Sequence, residues 1–93
     1  MKTIKQLETK RHGYVVYVTL SLDVNNALHV SGTLEYLNGV NVNNFFADSS
    51  ASCKYDVAPS NTGRALVESA VKAMRKYAEP LNIVGYKYFY ENI

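Results

Sequence analysis

The side chains in this sequence that could make or break bonds are few. Cys53 is the one cysteine, and His12 and His29 are the two histidines. Together they would support a thiolate nucleophile with an imidazole base. A lone cysteine in an alternating stretch, with Tyr55 and Val57 against Lys54 and Asp56, is more often a small core residue. The histidines stand 17 positions apart, and no further Cys or His offers metal-ligand spacing, so no zinc site is expected. The five glycines are scattered singly at 13, 32, 39, 63 and 85, which excludes a phosphate-cradling loop. The eight carboxylates show no pairing of glycosidase type. The expectation is a protein that is not an enzyme and uses no metal or cofactor.

What remains is surface chemistry. Eight of the eleven aromatic residues are tyrosine and none is tryptophan. In Tyr86-Lys87-Tyr88-Phe89-Tyr90, alternation sends Tyr86, Tyr88 and Tyr90 to one face and Lys87 and Phe89 to the other. Both faces cannot be buried in a small domain with one helix, so some of these rings meet water or a partner. Exposed tyrosines give large contact area at low entropy cost and are enriched in binding hot spots. Tyr17 adds an aromatic on the polar face of an earlier strand, and Lys72, Arg75 and Lys76 form a basic helix end. Tyr17, Lys72, Arg75, Lys76, Tyr86, Lys87, Tyr88 and Tyr90 are therefore the candidate partner-binding residues.

Ninety-three residues suit one domain with one modest core, burying about two thirds of the unfolded surface. With 47% hydrophobic and 19% charged residues the chain is globular. No apolar run approaches a membrane span and no signal-peptide pattern opens the chain. A single cysteine cannot close an internal disulfide, so a reducing, cytoplasmic setting is expected. The net charge of +2 is uneven: residues 1–12 carry +3, residues 13–62 carry −3 and residues 63–93 carry +2. The basic segments would suit phosphate or an acidic protein face, although dedicated nucleic-acid binders cluster Lys and Arg more densely.

The elements that position these residues follow from periodicity. Tyr14, Val16, Val18, Leu20, Leu22 and Val24 alternate with polar Thr19, Ser21 and Asp23, which is a strand with one buried face. The same parity resumes at Leu28, Val30, Gly32, Leu34 and Tyr36, which sets His29 on the exposed face; Val40, Val42 and then Phe45 or Phe46 make a third run. A two-residue loop at Asn38-Gly39 would place Asn41 and Asn43 in the core. A three-residue loop, Leu37-Asn38-Gly39, instead pairs Tyr36 with Val40 and Leu34 with Val42, with Gly39 at positive φ. Val24-Asn25-Asn26 closes the first hairpin by the same rule, pairing Leu22 with Leu28 and Val16 with Leu34.

Asp48–Ser52 reads as a loop and Cys53–Val57 as a short strand or extension. Pro59-Ser60-Asn61-Thr62 announces a helix. From Arg64 to about Ala78, Leu66, Val67, Ala70, Val71, Met74, Tyr77 and Ala78 form one apolar stripe, Glu68 and Lys72 form an i,i+4 pair, and Pro80 stops the helix. Ile83–Tyr90 is the closing strand. Residues 1–11, with Ile4 and Leu7 at helical spacing, are expected to be an arm or a short helix. The whole is an α+β domain over residues 1–93: an antiparallel sheet, made of a three-stranded N-terminal meander plus a C-terminal strand, with one main helix packed on one face.

This layout resembles that of the small phage-encoded anti-CRISPR proteins, in particular its N-terminal meander, its alanine-rich helix (Ala65-Leu66-Val67-Glu68-Ser69-Ala70-Val71-Lys72-Ala73-Met74) and its closing strand. The resemblance covers most of the chain and rests on layout alone. It implies a stoichiometric inhibitor of a CRISPR–Cas surveillance complex or nuclease, working in the host cytoplasm through a protein partner. Many such inhibitors are acidic DNA mimics, whereas this chain is slightly basic, which points to an acidic or neutral protein face. The element order is also similar to the double-stranded-RNA-binding domain, and to partial versions of it in antitoxin-type regulators, which implies a small nucleic-acid-binding module as the alternative function. The place of that family's lysine cluster reads Ser60-Asn61-Thr62-Gly63-Arg64 here, with one cation.

Overall fold

The structure is a computed structural model that describes residues 1–48 and 61–81. Strands β1 (Lys2–Arg11), β2 (Tyr14–Leu22), β3 (Leu28–Tyr36) and β4 (Asn41–Asp48) form an antiparallel meander in the order β1-β2-β3-β4. Helix α1 (Asn61–Ala73) and a short α2 (Arg75–Ala78) follow, and a 3-10 turn over Glu79–Leu81 contains Pro80. The fold is the expected α+β arrangement of one helical layer on one face of an antiparallel sheet. The expected strands Cys53–Val57 and Ile83–Tyr90, and with them Tyr86, Lys87, Tyr88 and Tyr90, lie outside the described residues.

The two inner strands follow the alternation. Val16 pairs with Leu34 and Leu22 with Leu28, as the three-residue loop requires. Asn26 takes the left-handed conformation (φ 63) at the end of the first loop. In the second loop the Gly39 N–H donates to the Tyr36 carbonyl and the Tyr36 N–H to the Val40 carbonyl, both at 2.9 Å. Gly39 sits at φ 89, where an L side chain would be strained.

The first and last strands of the described sheet depart from the expectation, for one shared reason. Residues 1–11 are neither arm nor helix but β1, paired along its length with β2. A bulge between Thr3 and Lys5 inserts Ile4 as an extra residue. Beyond the bulge the parity is reversed, so Ile4 and Leu7 both pack against the core although they stand three apart. That spacing imitates a helix. In β4 a register shift opposite Leu34/Glu35 puts Asn43, and not Val42, across from Leu34. The parity then changes from Val42 to Phe45: Phe45 is buried, and Phe46 is 51% exposed.

The core lies between the sheet and the helix. Val16, Val18, Leu20, Leu28, Val30, Leu34 and Phe45 meet Leu66, Val67, Ala70, Val71, Met74 and Ala78. Met74 breaks the helix into two segments: its N–H donates to the Val71 carbonyl at 3.2 Å, one residue tighter than an α turn. The apolar stripe runs through the break, with Met74 and Ala78 fully buried. On the outer face Glu68 lies 3.8 Å from Arg64 Nε, one turn back, in place of the expected pairing with Lys72.

Candidate functional site

The helix is narrower than the sheet. A helix is about 10 Å across, whereas four strands at about 4.8 Å span nearly twice that. Helix α1 packs chiefly over β2, with contacts to β1 and β3. It enters above the β1–β2 turn, where Thr62 and Ala65 face Arg11 and His12. At its far end Tyr77 receives the Lys5 ammonium, 5.0 Å from the ring centroid. Among the described residues, the helix makes its main contacts away from the outer corner of the sheet, towards β4 and the β3–β4 loop, where Tyr36, Leu37 and Val40 are exposed.

That corner carries one cross-strand row on the helix side of the sheet. Arg11 lies opposite Tyr14, Tyr14 opposite Tyr36, and Tyr36 bonds to Val40. The rings of Tyr14 and Tyr36 are stacked. Tyr14 is half-buried against the core edge, while Tyr36 is 47% exposed, Leu37 65% and Val40 54%. The row forms a ledge of a cation, two tyrosines and two aliphatic side chains. Arg and Tyr on such a surface are the residue types that carry binding energy when water is excluded, and an exposed apolar cluster on a small domain marks an interaction site.

The expected site residues are not all brought together. Tyr17 lies on the opposite face of the sheet, where Val15 and Ser21 are buried, and is itself 40% exposed. Its hydroxyl is held above its ordinary value, first by desolvation and then by the carboxylates of Glu8 and Glu35. Lys72, Arg75 and Lys76 project from the outer side of the helix, with Lys76 Nζ 5.1 Å above the Tyr77 ring. The sheet separates Tyr17 from these cations, so one docking surface cannot contain both. Arg11, Tyr14, Tyr36, Leu37 and Val40 were missed because even parity assigns Tyr14 and Tyr36 to the core face. The available signal was geometric: the core-facing rows outnumber those that one helix can cover.

Catalytic chemistry has little to work with among the described residues. His12 is exposed in the β1–β2 turn. His29 lies on the open sheet face, as expected, but is half-buried, with Nε2 2.9 Å from Asp23 Oδ2 and its ring beside Phe46. Ser21 stands opposite His29 in the register, which gives the three residue types of a hydrolase triad. Ser21, however, is buried, and Asp23 Oδ1 accepts the N–H groups of Asn25 and Ala27. Asp23 and His29 act as a clamp across the β2–β3 loop. No group of three metal-ligating side chains occurs among the described residues, and no described helix is long and apolar enough to cross a membrane. Compared with known proteins, the chain matches no protein-family model, no curated protein and no solved structure.

Proposed function

We propose that this protein is a non-catalytic binder that acts stoichiometrically by docking its turn-end ledge onto a protein partner. The observation that supports the reading most directly is the exposure of Tyr36, stacked on Tyr14, together with Leu37 and Val40. Tyr36, Leu37 and Val40 are not among the buried core residues, and they leave apolar area in water that a partner would cover. The specific version suggested by the layout is a phage-encoded inhibitor of a CRISPR–Cas surveillance complex or nuclease.

The test compares the wild-type protein with a Tyr36→Ser/Val40→Ser variant that retains the wild-type fold by circular dichroism. Both carry the same tag and are passed through one lysate containing an active CRISPR–Cas system, and retained proteins are identified by mass spectrometry. The reading expects a set of Cas subunits held in fixed ratio by the wild type and lost by the variant. Equal retention by both proteins contradicts it. So does recovery of nucleic acid alone, with an affinity that falls steeply as salt rises.

A further inference from the structure

Beside the ledge, the β1–β2 turn and the first turns of α1 enclose a cleft of about 340 Å³. Its lining is Arg11, His12, Thr62, Ala65, Leu66 and Ser69. We propose that this cleft receives an acidic side chain, Asp or Glu, from the protein partner that docks on the ledge. The inference rests on the ledge reading and names the chemistry that the partner must bring.

Three features of the cleft select a carboxylate on a protein segment. The first is charge: the Arg11 guanidinium, the His12 imidazole and two hydroxyls face the space, and no acid is among its described lining residues. The nearby acids among the described residues are engaged elsewhere. Glu68 lies 3.8 Å from Arg64, and Glu8 lies 3.9 Å from Lys10 on the other face of the sheet. Arginine presents a planar fork of donors that matches a carboxylate with two parallel hydrogen bonds.

The second feature is rigidity. The turn that holds His12 has two residues, His12 at φ 54 and Gly13 at φ 82, the tight hairpin geometry in which both central residues are left-handed. The Arg11 backbone is held by its pairing with Tyr14. Arg11 and His12 therefore project from backbone that is already ordered, and little backbone entropy is lost on binding.

The third is the surroundings. The floor is apolar, from Ala65 and Leu66, and Arg11 is in the same cross-strand row as the stacked tyrosines. A nucleic-acid backbone would need a track of cations, and one arginine with one imidazole beside an apolar ledge does not provide it. An extended or helical segment that places an acidic residue next to apolar ones would fill both the cleft and the ledge. The volume lies at the lower end of the roughly 300–1,000 Å³ range of ligand pockets, which suits a side chain.

The experiment is a titration of isotope-labelled protein followed by amide and arginine Nε–H resonances. The probes are the blocked peptide Leu-Glu-Leu-Phe, its neutral counterpart Leu-Gln-Leu-Phe, and inorganic phosphate at matched ionic strength. The expected result is saturable shifts at Arg11, His12 and Ser69 with the Glu peptide, with affinity about tenfold weaker for the Gln peptide. An Arg11→Gln variant should bind both peptides at the weaker level. Equal affinity of the two peptides for the wild type overturns the inference, and so does saturation of the same resonances by phosphate below the concentration at which the Glu peptide acts. Shifts at Tyr36 and Val40 without any at Arg11 or His12 overturn this inference and leave the ledge reading standing. Shifts at the cleft without any at the ledge contradict the ledge reading instead.

Discussion

Tyr14 and Tyr36 stack across β2 and β3 with ring centroids 5.6 Å apart and 25° between their planes. The pair closes the sheet at the point where helical cover ends, so one ring seals the core edge and the other faces water. An aromatic pair contributes about 1 kcal/mol beyond its buried area. Tyr36→Ala should therefore lower folding stability by about 1 kcal/mol in chemical denaturation. Its effect on partner binding should be larger, about 2 kcal/mol or roughly thirtyfold in Kd by calorimetry. Tyr36→Phe, which keeps the stack, should retain most of both.

Gly32 marks the closest approach within the sheet. A Cβ there would meet the Tyr17 carbonyl oxygen directly and the Phe45 ring at 2.7 Å. Phe45 lies across from Gly32 in the register, and its ring fills the space that a side chain would take. Gly32→Ala should destabilise the fold by about 3 kcal/mol, at the upper end of overpacking costs. Gly32→Ala within about 0.5 kcal/mol of wild type would show that this packing is wrong.

Met74 is fully buried at the junction of α1 and α2, while Lys72 on the same helical layer is exposed. Met74→Ala should cost about 3 kcal/mol in equilibrium unfolding, and Lys72→Ala should stay within about 0.5 kcal/mol of wild type. Similar costs for the two would place the helix in the wrong rotation on the sheet.

The Asp23 carboxyl is held below its ordinary value of 3.8, first by the hydrogen bond to His29 and then by the N–H groups of Ala27 and Asn25. A depressed folded-state value means that, as pH falls, the unfolded chain takes up this proton before the folded one does. The stabilisation is complete above the ordinary carboxylate range and is lost as pH drops through the folded value. Thermal unfolding of wild type and Asp23→Ala should show a gap in Tm at neutral pH that narrows below about pH 4. A gap that stays constant into acid would contradict the clamp.

Much of this architecture is legible in the residues, and the misreadings have physical causes. The β2–β3 register follows from parity and from the one loop length that keeps Leu22 opposite Leu28 and Val16 opposite Leu34. The helical stripe from Leu66 to Ala78 follows from its three-and-four spacing. Period-two reasoning fails where a bulge adds a residue. Ile4 turns β1 into an apparent helix start, and the shift near Val42 moves burial from even to odd positions at Phe45. The ledge was hidden for a different reason. Alternation tells which face Tyr14 and Tyr36 share, but it does not tell where the helix above them stops.

The ledge can be tested directly by methyl cross-saturation of the labelled protein in complex with its captured partner. Leu37 and Val40 lie at the ledge, whereas Val24 is 95% exposed in the loop at the other end of the sheet. The account predicts strong signal loss at the Leu37 and Val40 methyls and little at Val24 or at Ala73 on the outer side of the helix. Loss at Val24 or Ala73 with Leu37 and Val40 unaffected would contradict it.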